Sequence, residues 1–293
     1  MKKSPIPVGH YLALKSGFKV HYHESGNPDP QKPTIVFLHG AGPGASGYSN
    51  FKHNFPYFSE HGYHTLAPDF LGFGLSDKPP DLCYNSPILV SMLKELIDAK
   101  GIRKIVPVGN SLGGAISLDF YMAYPERVDK LILMAPGGLQ DPRQWVGQSE
   151  GLQKMWGWTN SRPTDRAEAE RTFRELLALL VHDKADITDD AVAERFEIAM
   201  EQPMVLYQTL TCPYYIASQL RTIACPVIAF WGTRDKFLPY QQHKILQEAL
   251  PGATISLSDK AGHWFMIEES ERFNRECLEF LKKGSQRDSK VAS

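Results

Sequence analysis

The 293-residue chain has few cysteines, almost no net charge and no long apolar run. Its four cysteines are widely spaced and form no C-x-x-C pair, which argues against a disulfide framework or a zinc site and favours a reducing compartment. A formal net charge of -1 without a Lys/Arg-dense run argues against nucleic acid or an anionic membrane as a partner. No apolar run approaches the ~18 residues that span a bilayer, and no apolar secretion signal follows the N-terminal lysines. We expect a soluble cytoplasmic protein that acts on a small molecule.

Alternating strand and helix patterns predict an α/β fold. Residues 10–25 alternate apolar and polar side chains and predict a hairpin. Continuous apolar runs, as in strands buried on both faces, predict further strands ending at Pro68-Asp69 and over residues 34–38, 103–108, 128–134, 226–231 and 254–257. Helical spacing lies between them, as at residues 88–97 and 269–282. The alternation implies a mostly parallel, doubly wound sheet with helices on both faces.

The strand pattern is interrupted from about residue 140 to residue 210, where only helical segments such as 166–181 and 189–200 are predicted. We interpret residues 138–210 as a helical cap inserted into one α/β core, which is formed by residues 1–137 and 211–284. Residues 285–293 are polar, and we predict that they form a disordered tail.

A serine at the centre of G-x-S-x-G follows the predicted strand 103–108 and precedes a helix. In Gly109-Asn110-Ser111-Leu112-Gly113 the turn is too sharp for side chains at the flanking positions, and it presents the Ser111 hydroxyl at the carboxyl end of the sheet. The N–H of Leu112 then supplies half of an oxyanion hole. So short a motif also occurs by chance in glycine-rich loops, so the pattern needs support from elsewhere in the chain.

A serine nucleophile needs a base and an acid that orients the base. Asp235 follows strand 226–231 and His263 follows strand 254–257, so serine, acid and histidine occur in this order at successive strand ends. Asp259 competes for the acid role but lies too close in sequence to the histidine. The other histidines lack such a context and are predicted to pack or to lie at the surface, and His39 is predicted to shape the loop that it begins.

The loop after strand 34–38 is predicted to complete the oxyanion hole. Its second N–H donor is assigned to Ala41, with Gly40 and Gly42 as near alternatives. The G-x-G-P-G string here lacks the Gly-Lys-Ser/Thr ending of a P-loop and the spacing of a dinucleotide fingerprint. No cluster of histidine, cysteine and carboxylate has metal-ligand spacing, so no cofactor or metal is expected.

Together, Ser111, Asp235 and His263 in this framework resemble the α/β-hydrolase superfamily over essentially the whole chain. Several strings resemble more narrowly the meta-cleavage-product hydrolases, which cut a carbon–carbon bond in 2-hydroxy-6-oxo-hexa-2,4-dienoates during aromatic degradation. The matching strings are HGAGPGA from His39 through Ser49-Asn50, GNSLGG at 109–114, PGGL at 136–139, GHW at 262–264, and ITD at 187–189 with RFE at 195–197.

The resemblance implies roles for pocket residues. Arg195 would bind the substrate carboxylate, for which a guanidinium suits a planar anion. Asn50 and Asn110 would hydrogen-bond the enol oxygen and the carboxylate end. Further residues implied in the pocket are Trp264 and Phe237 as walls and Gly42 in the binding loop.

Each of these roles has a plainer alternative. Arg195 could be a solvated charge on an amphipathic helix, Asn50 could cap a loop, and Trp264 and Phe237 could simply pack. Departures from the family pattern at Ala41, Tyr48 and Leu112 leave the acyl group of the substrate undetermined. A carboxylesterase with the same triad is the alternative function, and the resemblance also implies a homodimer or larger homo-oligomer.

Overall fold

In the computed structural model, which describes residues 6–283, one eight-stranded sheet forms the centre of the molecule. Its order is β1-β2-β4-β3-β5-β6-β7-β8; β2 pairs antiparallel with β1 and β4, and all other pairs are parallel. The predicted α/β-hydrolase fold is confirmed. The strands are β1 (His10–Ala13), β2 (Lys19–Ser25), β3 (Thr34–Leu38), β4 (Thr65–Pro68), β5 (Ile105–Asn110), β6 (Leu131–Met134), β7 (Val227–Gly232) and β8 (Thr254–Ser258).

Helices cover both faces of the sheet. One apolar cluster includes Leu93 and Phe120, and the cluster on the other face includes Phe58 and Phe273 together with the cap residue Phe173. The helices are α1 (Gly47–Phe51), α2 (Phe55–Glu60), α3 (Ser86–Ala99), α4 (Leu112–Ala123), α5 (Glu150–Asn160), α6 (Arg166–Leu177), α7 (Asp189–Glu201), α8 (Met204–Thr209), α9 (Ala217–Leu220), α10 (His243–Ala249), α11 (Phe265–Glu268) and α12 (Ser270–Lys282).

Several element ends differ from the sequence prediction, and three of them have a cause in the structure. The strand predicted over residues 103–108 continues to Asn110, because Gly109 and Asn110 still pair with β6. The strand predicted from residue 128 begins at Leu131, because the chain first forms a 3-10 turn. Helix α6 ends at Leu177 instead of residue 181, and the Leu180 carbonyl accepts a hydrogen bond from the N–H of Trp264 at 3.0 Å.

Between β6 and β7, a stretch described throughout, the chain forms helices and turns but no strand. Helix α6 packs against both α5 and α7, so it lies between them in the cap. The N–H of Tyr215 bonds to the carbonyl of Gly138 at 2.8 Å, which brings the two ends of this segment together. The division at residues 138 and 210 stays a prediction, and the predicted tail 285–293 lies outside the described residues. Within residues 6–283, every helix is too short or too polar to cross a membrane.

Candidate active site

Ser111 lies in the turn between β5 and α4 with φ 55° and ψ -111°. A non-glycine residue in this left-handed region is strained by about 1–3 kcal/mol. The flanking positions have no room for a side chain: a Cβ at Gly109 would lie 2.3 Å from the Gly113 oxygen, and one at Gly113 would lie 1.9 Å from the Leu38 oxygen. The local packing therefore requires the glycines of the motif and holds the half-buried serine at the carboxyl end of the sheet.

Asp235 and His263 meet at the carboxyl ends of β7 and β8. The imidazole Nδ1 lies 2.7 Å from Asp235 Oδ2, and the two side chains are 3% and 0% exposed. The other carboxylate oxygen accepts the N–H groups of Phe237 (2.7 Å) and Leu238 (3.0 Å). A carboxylate held in this way keeps the proton of the imidazole on Nδ1 and leaves Nε2 free to accept one. The rival acid, Asp259, is exposed.

Ser111 and His263 line the same cavity. No hydrogen bond of the Ser111 hydroxyl occurs within the described chain, as is common before a substrate is bound. Proton transfer between the two side chains would require the imidazole and the hydroxyl to come within hydrogen-bonding distance of each other.

Two backbone N–H groups beside Ser111 make no hydrogen bond within residues 6–283. They belong to Leu112, the first residue of α4, and to Ala41, in the loop after β3. The first N–H groups of a helix have no partner inside the helix and carry the positive end of its dipole. Both groups are thus available to an oxyanion, and Gly40 and Gly42 stay alternatives to Ala41.

Arg195, on α7, is 1% exposed and lines the same cavity. Its guanidinium donates to the Ser49 carbonyl at 2.5 Å and lies 4.4 Å from the centre of the Trp264 ring, while its Nε–H has no partner within the described chain. Burial lowers the pKa of Arg195 to about 10, so the group still carries its charge at neutral pH. A solvated surface role for Arg195 is excluded.

The charge on Arg195 is not balanced locally. Glu194 Oε1 pairs with Lys52 at 2.6 Å, and Arg195 NH1 lies 4.0 Å from the other oxygen of Glu194. Two cations therefore share one carboxylate, which leaves one positive charge at the wall of a cavity. A buried charge is costly unless it is paired, so the site is complementary to an anion.

Asn50 and Asn110 also line the cavity, but their surroundings differ. Asn50 Oδ1 lies 3.4 Å from Arg195 NH2, and the cap of its helix is Ser46, so Asn50 does not cap the loop. Asn110 Nδ2 donates to the carbonyls of His263 (3.2 Å) and Met134 (3.4 Å). Its Oδ1 is buried without a partner in the described chain, so a substrate could use it only as an acceptor.

The two predicted aromatic walls are buried at the cavity. Phe237 stacks on the His263 ring with the centroids 5.2 Å apart, and Trp264 lies under the Arg195 guanidinium. Gly42 lines the same cavity, and a Cβ there would touch nothing within 4 Å. Every predicted site residue except Asp235 and Leu112 is among the residues lining the cavity. Asp235 contacts the cavity residue His263, and Leu112 directly follows Ser111.

The cavity is narrow, about 40 Å³, and its lining combines polar and apolar groups. Arg195 from α7 and Asn50 from α1 belong to the polar part. Gly151 of α5 packs on Phe237, and apolar cap residues also line the cavity: Leu152, Met155, Leu177 and Leu180. A separate groove of about 610 Å³ between α5 and α6 contains none of the predicted site residues.

His39 shapes the loop, as predicted. Its Nδ1 lies 2.8 Å from the Gly40 carbonyl, and its Nε2 accepts the N–H of Phe70 at 3.0 Å. Complete burial lowers the pKa of His39 to about 4. The ring is therefore neutral at neutral pH and holds the loop with both of its nitrogens.

Two contacts of the site were missed at the sequence level. The Gly44 N–H donates to Gln202 Oε1 at 2.9 Å, which connects the loop after β3 to the cap. Glu268 accepts hydrogen bonds from the Gly262 N–H and from the cap. Neither Gln202 nor Glu268 belongs to a local sequence pattern, because each contacts a segment that is distant along the chain. Within residues 6–283 no cluster of ligating side chains could hold a metal, and no two cysteines form a disulfide.

Comparison with known proteins agrees with this geometry. The family model described as alpha/beta hydrolase fold matches residues 33–270. This chain belongs to the α/β-hydrolase family. A relative from Paraburkholderia phymatum, named 2-hydroxy-6-oxononadienedioate/2-hydroxy-6-oxononatrienedioate hydrolase, is 34% identical over 90% of this chain and 91% of its own length. A 2-hydroxy-6-oxo-6-phenylhexa-2,4-dienoate hydrolase from Comamonas testosteroni is 30% identical over 91% and 92% of the two chains.

Solved structures give the same result. A meta-cleavage product hydrolase from Pseudomonas fluorescens IP01 superposes with a TM-score of 0.80 at 26% identity, covering 94% of this chain and 98% of that one. The 2-hydroxy-6-oxo-6-phenylhexa-2,4-dienoate hydrolase of Rhodococcus sp. strain RHA1 gives 0.76 at 27% identity, covering 89% and 94%. The resemblance to the meta-cleavage-product hydrolases is confirmed.

Proposed function

We propose that this protein hydrolyses a carbon–carbon bond in a 2-hydroxy-6-oxo-hexa-2,4-dienoate. The observation that carries this proposal is the buried, unbalanced charge of Arg195 at the wall of the cavity that contains Ser111 and His263. An esterase acting on neutral esters has no use for a fixed cation there, whereas a dienoate carries a carboxylate at C1. The relatives that act on such dienoates by name agree with this substrate class.

The residues account for each step. The carboxylate binds Arg195, and the dienol tautomerises to the 2,6-diketo form, which places an electron sink beside the bond to be cleaved. Ser111 Oγ attacks the C6 carbonyl while His263 Nε2 takes its proton, and the N–H groups of Ala41 and Leu112 hold the oxyanion. The C5–C6 bond then breaks, the leaving carbon takes the proton from His263, and water hydrolyses the acyl-serine.

The cavity also bears on the acyl group beyond C6. The cap contributes Leu152, Met155, Leu177 and Leu180 to its lining, and within the described residues Arg195 is the only cationic side chain there besides the imidazole of His263. A second carboxylate would therefore be buried without a partner, at a cost of several kcal/mol. The proposed substrate therefore has an apolar acyl group, alkyl or aryl. Since the cavity holds about 40 Å³, the cap side chains must move to admit it.

The test compares three substrates: a 6-phenyl dienoate, a dienoate with a carboxylated acyl group, and p-nitrophenyl acetate. Loss of the dienolate absorbance should be fastest with the phenyl compound, by about ten-fold or more in kcat/KM over the carboxylated one. Rapid ester hydrolysis without dienoate cleavage would contradict the proposal and favour a carboxylesterase. Equal rates for both dienoates would contradict only the acyl-group assignment.

We also propose a cytoplasmic location, because the few cysteines form no disulfide within residues 6–283, as suits a reducing compartment.

A further inference from the structure

Glu268, at the end of α11, connects the cap to the loop that carries His263. Its Oε1 accepts the backbone N–H groups of His182 (2.5 Å) and Asp183 (3.3 Å), and its Oε2 accepts the N–H of Gly262 (2.6 Å). His182 and Asp183 belong to the cap segment after α6, and Gly262 directly precedes His263. One carboxylate thus holds two segments that lie far apart along the chain.

These two segments are also packed backbone to backbone. A Cβ at Gly262 would lie 2.9 Å from the carbonyl carbon of Val181 and 3.0 Å from the N of His182. On the far side of His263, the N–H of Trp264 donates to the Leu180 carbonyl at 3.0 Å. No side chain fits between the segments at Gly262, so a shift of one is transmitted directly to the other.

Both segments also form walls of the catalytic cavity. Leu180 lines it from the cap and His263 lines it from the core. The cavity must widen to admit a substrate, and the imidazole must come within hydrogen-bonding distance of Ser111. Movement of the cap and placement of the base are therefore linked through this contact.

We propose that Glu268 is a positioning residue, which ties cap segment 180–183 to the His263 loop and sets the imidazole for proton transfer when the cap is closed. This inference rests on the role of His263 as the base in the proposed function. Glu268 itself touches no reacting atom.

The contact that Glu268 makes with both segments depends on the ionisation of its carboxyl group. A carboxylate accepts N–H groups on both oxygens, whereas a protonated carboxyl turns one oxygen into a donor and loses one side of the bridge. Burial raises the pKa of Glu268 to about 7 against the lowering effect of the three N–H groups, and Asp186 raises it further. Glu268 forms no ion pair within the described chain. The ionisable groups on the elements packed against it include His182, Asp183, Lys184 and Asp186 of the cap segment, Asp259, Lys260 and His263 of the other loop, and the Glu269–Arg272 pair.

The variant that tests this idea is Glu268→Gln. Glutamine has the same shape but only one acceptor oxygen, so it can bond to the cap or to Gly262 and not to both. Glu271→Gln is the matched control, because Glu271 is exposed on the next helix. The measurement is the second-order rate of Ser111 labelling by a fluorophosphonate between about pH 5.5 and 9, alongside the thermal unfolding midpoint.

Above pH 7 we expect labelling of the Glu268→Gln protein to be about ten-fold slower than wild type, because a small misplacement of the base is costly. The wild-type rate should fall below pH 7 more steeply than one histidine ionisation allows, and Glu268→Gln should show a single ionisation. A merely structural role would lower the unfolding midpoint and leave the shape of the pH profile unchanged. Labelling of Glu268→Gln with the rate and profile of wild type would overturn the proposal.

The outcomes separate this proposal from the proposed function. If the wild-type protein is not labelled, the nucleophile assignment fails; if it is labelled and the variant matches it, only the role of Glu268 fails. Should Glu268→Gln not fold, hydrogen exchange on wild type replaces it. The backbone amides of His182, Asp183 and Gly262 should then become protected from hydrogen exchange together when Ser111 is labelled. Changes in protection that are independent of one another would contradict the proposed role of Glu268.

Discussion

Replacing Arg195 by methionine tests the anion site, because methionine keeps much of the volume and removes the charge. Two charge-assisted hydrogen bonds to a carboxylate contribute together about 3–4 kcal/mol. At about 1.4 kcal/mol for each factor of ten, kcat/KM for a dienoate should fall roughly 10²–10³-fold. Hydrolysis of p-nitrophenyl acetate, which carries no anion, should change by less than about three-fold on the same reasoning.

The folding stability of the same variant gives an independent readout. Arg195→Met loses the bond to the Ser49 carbonyl and the contact with Trp264, but it also removes a desolvated and unbalanced charge. These effects oppose each other, so the free energy of unfolding in urea should change by less than about 1 kcal/mol. Arg195→Lys keeps the charge without the planar fork and should show intermediate dienoate activity. Equal losses of dienoate and ester turnover, or a large loss of stability, would refute an anion-binding role.

Three further predictions follow from the same contacts. Asp235→Asn should keep its hydrogen bonds to the N–H groups of Phe237 and Leu238 but favour the wrong tautomer of the His263 imidazole. We therefore expect kcat to fall about 10⁴-fold while circular dichroism shows an intact fold. A loss below about ten-fold would argue against Asp235 as the acid. Gly44→Ala should strongly lower the unfolding midpoint, because φ at Gly44 is 71° and a Cβ there would lie 2.0 Å from the backbone oxygen of Arg195. Gly42→Ala is the control for stability, because a Cβ at Gly42 would have open space around it. Equal unfolding midpoints for the two variants would contradict the packing argument. Burial lowers the pKa of His39 to about 4 from its ordinary 6.5, so on acidification the unfolded chain takes up this proton before the folded protein does. The stability that neutral His39 contributes is therefore fully present above pH 6.5 and is lost as the pH falls towards 4, by about 3 kcal/mol. The free energy of unfolding, measured in urea, should depend less steeply on pH in His39→Gln than in wild type, and an equal dependence would refute the assignment.

The sequence predicts best those features that depend on local pattern. The apolar run at residues 34–38 coincides with β3. All five residues of this strand are buried, so the apolar run begins and ends where the strand does. Ser111, Asp235 and His263 could be identified because each lies in the loop or turn that follows a strand, and parallel strands bring their carboxyl ends to one edge of the sheet.

Features that depend on contacts between distant segments could not be predicted in this way. Nothing in the pattern of α7 indicates that Arg195 is buried against Ser49, and nothing beside His263 indicates that Glu268 reaches the cap at His182. The same limit applies to the apolar part of the cavity lining, since Leu177 and Leu180 read equally well as ordinary core residues of a helix. Their place in the cavity follows only from how α5, α6 and α7 pack together.

The central claim is that the Ser111 hydroxyl, activated by His263, cleaves the dienoate. Its most direct test is a single-turnover experiment with Ser111→Ala and a 6-phenyl dienoate, followed by dienolate absorbance after mixing with excess enzyme. We expect the variant to bind the substrate with near wild-type affinity and to leave the carbon–carbon bond intact. Cleavage by the variant at a rate close to that of wild type would contradict it.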